Sequence, residues 1–183
     1  MKGLVFNEFL EMVAAQFSEE MLDDIIDAAN LPTNGAYTAV GTYPHSELLA
    51  LVQQLALRTG LNTTTLIKVF GKHLFRRFVL LYPHFFSKAQ SAFELLESIE
   101  HHVHTEVRKL YPDAELPTFA TIRSADNQQL LMIYSSQHPF SALAEGLIEG
   151  CLTYYQEPAT LQIVDKSEGH KQHVEFYITR IAT

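Results

Sequence analysis

The spacing of apolar residues changes once along the chain, near Pro112, and this change constrains the fold more than any other feature. Before Pro112, apolar residues recur every three or four positions, which is the spacing of amphipathic helices. After it, short segments rich in β-branched and aromatic residues alternate with turn residues, as in hairpins. The sequence therefore predicts an α+β fold, with an N-terminal helical subdomain followed by an antiparallel sheet that carries a further helix.

Capping and breaking residues set the expected helix boundaries. Ser18 suits the N-cap of the second helix, Gly60 ends the third, and Pro83 stops the fourth. The last helix before the change is predicted to run without interruption over residues 91–110. Its buried stripe is expected to consist of Phe93, Leu96, Ile99, Val103, Val107 and Leu110. Beyond Pro112 the expected elements are strands over 118–124 and 129–134, a helix over 141–155, and strands over 161–165 and 173–181.

The composition excludes several classes of protein. A net charge of −8 argues against a nucleic-acid binder, and no segment approaches the roughly 18 apolar residues of a membrane span. The N-terminus lacks the pattern of a signal peptide. A single cysteine, Cys151, excludes a disulfide framework and a multi-cysteine zinc site. We therefore expect a cytoplasmic protein, and the lack of phosphate-loop, nucleophile-elbow and metalloprotease motifs favours a non-enzyme.

His104 lies at the border of the predicted stripe, one residue and therefore about 100° from Val103. An imidazole at this position can point into an apolar cleft, and neutral imidazole is a good iron ligand. A hydrogen-bonded boundary histidine is the commoner interpretation of such spacing. His101 and His104 could also share a surface metal ion, although no third ligand is evident nearby.

Alternation along a strand places Tyr134, Ser136 and His138 on one face. Two hydroxyls and an imidazole can donate hydrogen bonds to a pair of carboxylates. In isolation, an ordinary solvated strand face explains the pattern equally well. A metal ligand near an anion-holding strand nevertheless points to a metallated cofactor that carries carboxylates, and haem fits that description.

Several short segments, in this order and spacing, resemble the haem nitric oxide/oxygen binding (H-NOX) family over essentially the whole chain. They are Met1-Lys2-Gly3, Gly71-Lys72-His73-Leu74-Phe75, His104-Thr105-Glu106-Val107, Leu116-Pro117, Tyr134-x-Ser136 and Glu145-Gly146-Leu147. The resemblance implies one domain over 1–183, with a helical distal subdomain over about 1–62 and a mixed proximal subdomain over about 63–183. Haem b (iron protoporphyrin IX) would be buried between them.

The resemblance also implies roles for individual residues. His104 would be the proximal iron ligand, Tyr134 and Ser136 would hold the haem propionates, Pro117 would press on the macrocycle, and Gly71 would leave room beside it. The family pattern Tyr-x-Ser-x-Arg ends here in His138. Because arginine is a permanently charged, bidentate partner for carboxylates, this replacement predicts weaker or pH-dependent haem retention that falls as pH rises. Arg123 is a candidate for compensation.

Oxygen-binding members of the family use a distal tyrosine, and the matching position here is Leu143. Other distal positions are also apolar, namely Val5, Phe9 and Leu74. This pocket is expected to favour NO and CO over O₂. The resemblance further implies that NO breaks the bond to His104, that the haem relaxes against Pro117, and that the two halves then rotate.

The protein is expected to be a monomer that regulates a separate signalling enzyme, either a sensor histidine kinase or a cyclic-di-GMP enzyme. The alternative is a haem-poor or redox-responsive interaction module that regulates a partner kinase. Cys151 is expected to be a buried small hydrophobe.

Overall fold

The computed structural model describes residues 1–181 and shows helices packed beside a four-stranded antiparallel sheet of order β1-β2-β4-β3. This architecture confirms the predicted α+β fold. The first helices are α1 (Gly3–Gln16), α2 (Glu19–Ala29), α3 (His45–Thr59), α4 (Thr63–Leu81), α5 (Pro83–Phe86) and α6 (Ala92–Ser98). A π-helix (Ile99–Val103) then leads into α7 (His104–Leu110). The remaining elements are β1 (Thr118–Arg123), β2 (Gln129–Ser136), α8 (Ser141–Tyr154), β3 (Ala159–Asp165) and β4 (Gln172–Arg180).

Local side-chain chemistry sets the ends of the early helices as predicted. The Ser18 hydroxyl accepts the backbone N–H of Met21 at 3.0 Å, and the Asn62 side chain accepts that of Thr65 at 2.7 Å. Each contact satisfies one of the donors that a helix N-terminus leaves unpaired. Gly60 ends α3 with φ of 73°, a conformation that glycine adopts without strain.

The predicted continuous helix over 91–110 is wrong, because the π-helix interrupts it. A π-turn inserts one extra residue, which rotates everything after it by about 100° relative to a regular helix. Phe93 and Leu96 remain buried, but Leu110 is 63% exposed. His104, which follows the π-helix directly, is buried, and it borders a cavity together with Val103, Val107 and Leu110 of the predicted stripe.

The apolar core has two parts, and α4 contributes to both. One is centred on the helices and includes Phe6, Phe9 and Phe70. The other lies between the sheet and α8 and includes Phe93, Tyr134 and Phe176. Within residues 1–181 no helix is long and apolar enough to cross a membrane. The last two residues of the predicted domain lie outside the described residues.

Helices α4 and α8 approach until their backbones touch. A Cβ atom added to Gly146 would lie 2.1 Å from the carbonyl oxygen of Lys68, and one added to Gly71 would lie 2.5 Å from that of Leu143. Only glycine fits at such a contact. These glycines fix the distance between α4 and α8, which both border the candidate site.

Candidate functional site

A cavity of about 310 Å³ lies between the two parts of the core and opens near the N-terminus. Its walls are mostly apolar and come from α1, α4, the segment from α6 to α7, β2 and α8. Cavities of this kind, with a few convergent polar groups, are the usual sites of small ligands and cofactors. Most of the residues predicted from the sequence line it: Val5, Leu74, His104, Pro117, Tyr134, Ser136, His138 and Leu143.

The structure does not bring Phe9 and Gly71 to this cavity. Phe9 is fully buried in the helical part of the core, where its ring packs edge-on against Phe70 at 5.2 Å. Gly71 faces the backbone of α8 at Leu143 and Gly146. Both positions were inferred from the resemblance alone, and helix packing accounts for both residues here.

His104 is buried, and its imidazole is oriented by one carboxylate. Nδ1 of His104 lies 3.2 Å from Oε2 of Glu100, four residues earlier in the π-helix. Burial lowers the pKa of His104, and the negative charge of Glu100 opposes this effect. A neutral ring that donates Nδ1–H to Glu100 keeps its lone pair on Nε2. Within residues 1–181 Nε2 makes no hydrogen bond, so it is available to a metal from the cavity side.

Glu100 connects His104 to the rest of the structure. Its Oε1 accepts a hydrogen bond from Arg108 at 3.1 Å, and its Oε2 also accepts the backbone N–H of Phe119 in β1 at 3.1 Å. Burial alone would raise the pKa of Glu100, but hydrogen bonds from Phe119, Arg108 and His104 outweigh it and lower the pKa. Glu100 is therefore an ionised acceptor that holds the His104 ring in one orientation. Sequence analysis missed this role, although the spacing of four residues was visible.

Tyr134, Ser136 and His138 converge at one end of the cavity as predicted, but by a different route. Strand β2 ends at Ser136, so His138 lies in the following loop and not on the strand. The backbone N–H of His138 donates to the Ser136 hydroxyl at 3.0 Å, and the Tyr134 hydroxyl donates to the carbonyl of His138 at 3.4 Å. Burial raises the pKa of Tyr134, which keeps its hydroxyl protonated and able to donate.

The His138 ring has one paired and one unpaired nitrogen. Nε2 lies 2.9 Å from Oε2 of Glu115, whereas Nδ1 is buried and has no hydrogen-bond partner within residues 1–181. The ring also lies 4.1 Å from the ring of His45, a residue that the sequence analysis did not single out. No local motif joins His45 to His138, because only the tertiary fold brings α3 to this loop.

Arg123 does not compensate for the missing arginine. Its guanidinium is paired with the carboxylate of Glu97, Nε to Oε1 at 2.9 Å, and it does not line the cavity. The expectation that Arg123 supplies charge to the site is therefore wrong. The position of Arg123 along the strand explains the result. Arg123 is the last residue of β1, opposite Leu130, whereas Ser136 lies near the other end of the same strand pair.

The model of the haem-NO-binding family matches residues 2–163. The chain belongs to the H-NOX family. Solved structures agree with this assignment. An unliganded Fe(II) H-NOX protein from K. algicida is 36% identical, with a TM-score of 0.92 over 100% of this chain and 98% of that one. An H-NOX protein from S. oneidensis in the Fe(II)NO state is 27% identical, with a TM-score of 0.87 over 100% of both chains.

A third H-NOX structure, from Shewanella woodyi in the Fe(II)CO state, is 37% identical, with a TM-score of 0.84 over 99% of this chain and 95% of that one. No curated protein matches the chain. H-NOX domains are haem-binding gas-sensor domains. The side chains that line the cavity fit a haem. The buried His104 could ligate the iron, the apolar walls could hold the macrocycle, and Tyr134, Ser136 and His138 could bind its carboxylates.

Proposed function

We propose that this H-NOX protein senses NO with haem b and regulates a separate signalling enzyme through release of His104. The observation that carries the proposal is the state of His104. A buried imidazole, held at Nδ1 by a carboxylate and with Nε2 available toward an apolar cavity, is suited to ligate iron. When bound, the haem would supply a ferrous iron able to bind NO, and His104 is the residue that would ligate this iron.

Tyr134, Ser136 and His138 would hold the carboxylates of the haem. Tyr134 is 2% exposed and its hydroxyl is protonated. The His138 ring offers a buried nitrogen, Nδ1, that has no hydrogen-bond partner among residues 1–181. A buried polar atom without a partner is costly, so a ligand that supplies an acceptor here is stabilising. Pro117 lines the same cavity and would contact the macrocycle.

One part of the cavity wall supports a preference for NO over O₂. Val5, Leu74 and Leu143 come from α1, α4 and α8, and their side chains offer no hydrogen-bond donor. Bound O₂ carries partial negative charge and is stabilised by a donor, whereas NO and CO bind ferrous iron without one. We infer that the protein binds NO and CO and does not form a stable complex with O₂.

Release of His104 would reach the surface through Glu100. The Glu100 carboxylate contacts the His104 imidazole, Arg108 and the backbone N–H of Phe119 in β1. A displacement of the imidazole would therefore change the hydrogen bonds of Arg108 and Phe119 to Glu100. The π-helix that carries Glu100 is a natural place for such a change, because π-turns are interconverted with regular helix by moving one residue. A sensor histidine kinase or a cyclic-di-GMP enzyme would read the altered surface of the monomer in the cytoplasm.

The alternative, a haem-poor redox module, receives less support. Cys151 is fully buried, and burial raises its pKa far above the range in which a thiolate forms at neutral pH. A thiol in this state reacts slowly with oxidants. A large apolar cavity beside a prepared imidazole also favours a bound cofactor over an empty module.

The test is the absorption spectrum of the purified ferrous protein, before and after NO. A Soret band at nearly one haem per chain, which shifts on addition of NO and not on brief exposure to air, is the expected result. The loss of that band in His104→Ala, and its return with added imidazole, would assign the ligand. A purified protein that neither contains nor takes up haem would contradict the proposal.

A further inference from the structure

Two histidines from distant parts of the chain stack at the corner of the cavity where the family has an arginine. His45 is the first residue of α3, and His138 lies in the loop between β2 and α8. Their ring centroids are 4.1 Å apart and the planes are inclined by 42°. Phe140 packs edge-on against His45 at 6.0 Å. The two imidazoles thus form a defined pair, and only His138 of the two lines the cavity.

The charged groups near the two histidines come from the N-terminus of the chain and from the segment that contains Asp113 and Glu115. Glu115 contacts Nε2 of His138 and is 70% exposed at its side chain, so solvent screens this pair and Nδ1 is left for a ligand carboxylate. The α-amino group of Met1 donates to the carbonyl of Tyr43 at 2.9 Å and places a positive charge on the same side. Lys2 and Asp113 pair with each other at 2.7 Å. The remaining polar contacts of His138 are neutral, from Ser136 and Tyr134.

We propose that His45 positions His138 as the binding group for a haem carboxylate, so that the stacked pair replaces a single arginine and makes haem retention depend on pH. The inference rests on the proposed function, since it requires that haem is the occupant. His45 is a positioning residue, because it holds the His138 ring by stacking.

The electrostatics support this division of roles. Burial lowers the pKa of His45, and the nearby charges of His138 and the N-terminus lower it further, against the opposing charge of Glu115. A neutral His45 ring is a favourable surface for a cationic His138, whereas two imidazoliums at this distance would repel each other. A neutral His45 is therefore the arrangement that lets the stacked ring of His138 accept a charge without repulsion.

The direction of the pH dependence follows. A haem carboxylate near His138 favours the protonated ring, so haem binding is strongest at a pH where that proton is present and weakens as the pH rises. An arginine in place of His138 would stay charged at every pH of the measurement and would give a flat profile.

The experiment measures the rate of haem transfer from the loaded protein to excess apomyoglobin between pH 6 and 8.5. The wild type should lose haem about five- to tenfold faster at pH 8 than at pH 6, since a charged hydrogen bond is replaced by a neutral one. His138→Asn should be fast at every pH, and His138→Arg slow at every pH. His170→Asn, at an exposed turn, is the matched control and should behave as the wild type.

Two variants isolate His45. His45→Ala removes the stacking surface and should raise the rate at pH 6 by about three- to fivefold, because His138 is no longer held. His45→Phe restores the surface without a second titrating ring. It should therefore rescue the rate at pH 6 and move the midpoint of the profile to higher pH. If His45→Ala matches the wild type at every pH, His45 has no role and the proposal is overturned.

Haem dimethyl ester provides the decisive probe, because it lacks the carboxylates but keeps the iron. Loaded with the ester, wild type, His45→Ala and His138→Asn should all lose the porphyrin at one rate that does not depend on pH. A pH dependence that persists with the ester would overturn the proposal. If the protein takes up haem stably but loses it at a rate that does not depend on pH, this inference alone is overturned. If the protein takes up neither porphyrin, the proposed function is overturned as well.

Discussion

Nδ1 of His104 and the backbone N–H of Phe119 contact the same oxygen of Glu100, at 3.2 and 3.1 Å. The candidate iron ligand and the first strand of the sheet are thereby joined through one atom. Arg108 holds the other carboxylate oxygen and keeps the group ionised. Any displacement of the imidazole must rearrange this contact, which gives the site a direct route to the sheet.

Replacement of Glu100 by glutamine should weaken the bond between His104 and iron. A carboxylate acceptor at Nδ1 makes the imidazole a more basic ligand, and an amide does this less well. The iron–histidine stretching band in the resonance Raman spectrum of the ferrous protein should move to lower frequency. The free energy of unfolding should fall by about 1 kcal/mol, since Arg108 loses a charged partner.

Glu106→Gln is the control for this prediction, because Glu106 lies on α7 with His104 and, within residues 1–181, its carboxylate pairs with Lys109 alone. It should leave the Raman band in place. An unchanged band in Glu100→Gln would show that the carboxylate does not tune the ligand.

A hydrogen-bond donor at position 143 should allow O₂ to bind. Leu143→Tyr adds a hydroxyl beside the apolar side chains of Val5 and Leu74, and a donor can stabilise the partial charge of bound O₂ by about 1 to 2 kcal/mol. The rate of O₂ dissociation from the ferrous protein, followed by stopped-flow absorption, should fall at least several-fold relative to Leu143→Phe, which changes the size alone. Equal rates in the two variants would show that position 143 does not face the gas.

Gly146→Ala should destabilise the protein by forcing α4 and α8 apart. The added methyl group would lie 2.1 Å from the carbonyl oxygen of Lys68, a backbone atom that cannot move by itself. Overpacking of this kind costs about 1–3 kcal/mol, which urea unfolding would detect. Ala142→Gly, at a half-buried position near the start of the same helix, controls for a change in helix propensity. A Gly146→Ala variant as stable as the wild type would contradict the close helix contact.

Stability should fall as the pH drops from 7 to 5, partly because of His73. Burial lowers the pKa of His73 below its ordinary value of 6.5, although the negative charge of Glu8 opposes this. In this range the unfolded chain binds more protons than the folded one, so the free energy of unfolding decreases as the pH falls through 6.5 and below. His73→Gln should show a shallower decrease in urea titrations at pH 5, 6 and 7. His170→Gln, which is exposed, should follow the wild type.

The sequence predicted the order of elements and most of the site, but not the local geometry that makes the site work. Apolar spacing and caps such as Ser18 act over a few residues, so the early helices and their ends were predictable. The π-helix was not, because its extra residue is stabilised by contacts such as that of Glu100 with Phe119, which only the folded chain provides.

The surroundings of His138 were also only partly predictable from the sequence. The pattern Tyr134-x-Ser136-x-His138 predicted which residues converge, yet it placed His138 on a strand that ends two residues earlier. His45 was invisible to any local pattern because α3 reaches this loop only through the tertiary fold. Arg123 was a reasonable candidate by charge, and its pairing with Glu97 could not be foreseen from spacing alone.

The most direct test of the account is the electron paramagnetic resonance spectrum of the ferrous protein with NO bound. If NO releases His104, the signal should be split by the NO nitrogen alone, and replacing the histidines with ¹⁵N-histidine should leave it unchanged. An additional splitting that changes with ¹⁵N-histidine would show that the imidazole stays on the iron, and would contradict a switch based on release of His104.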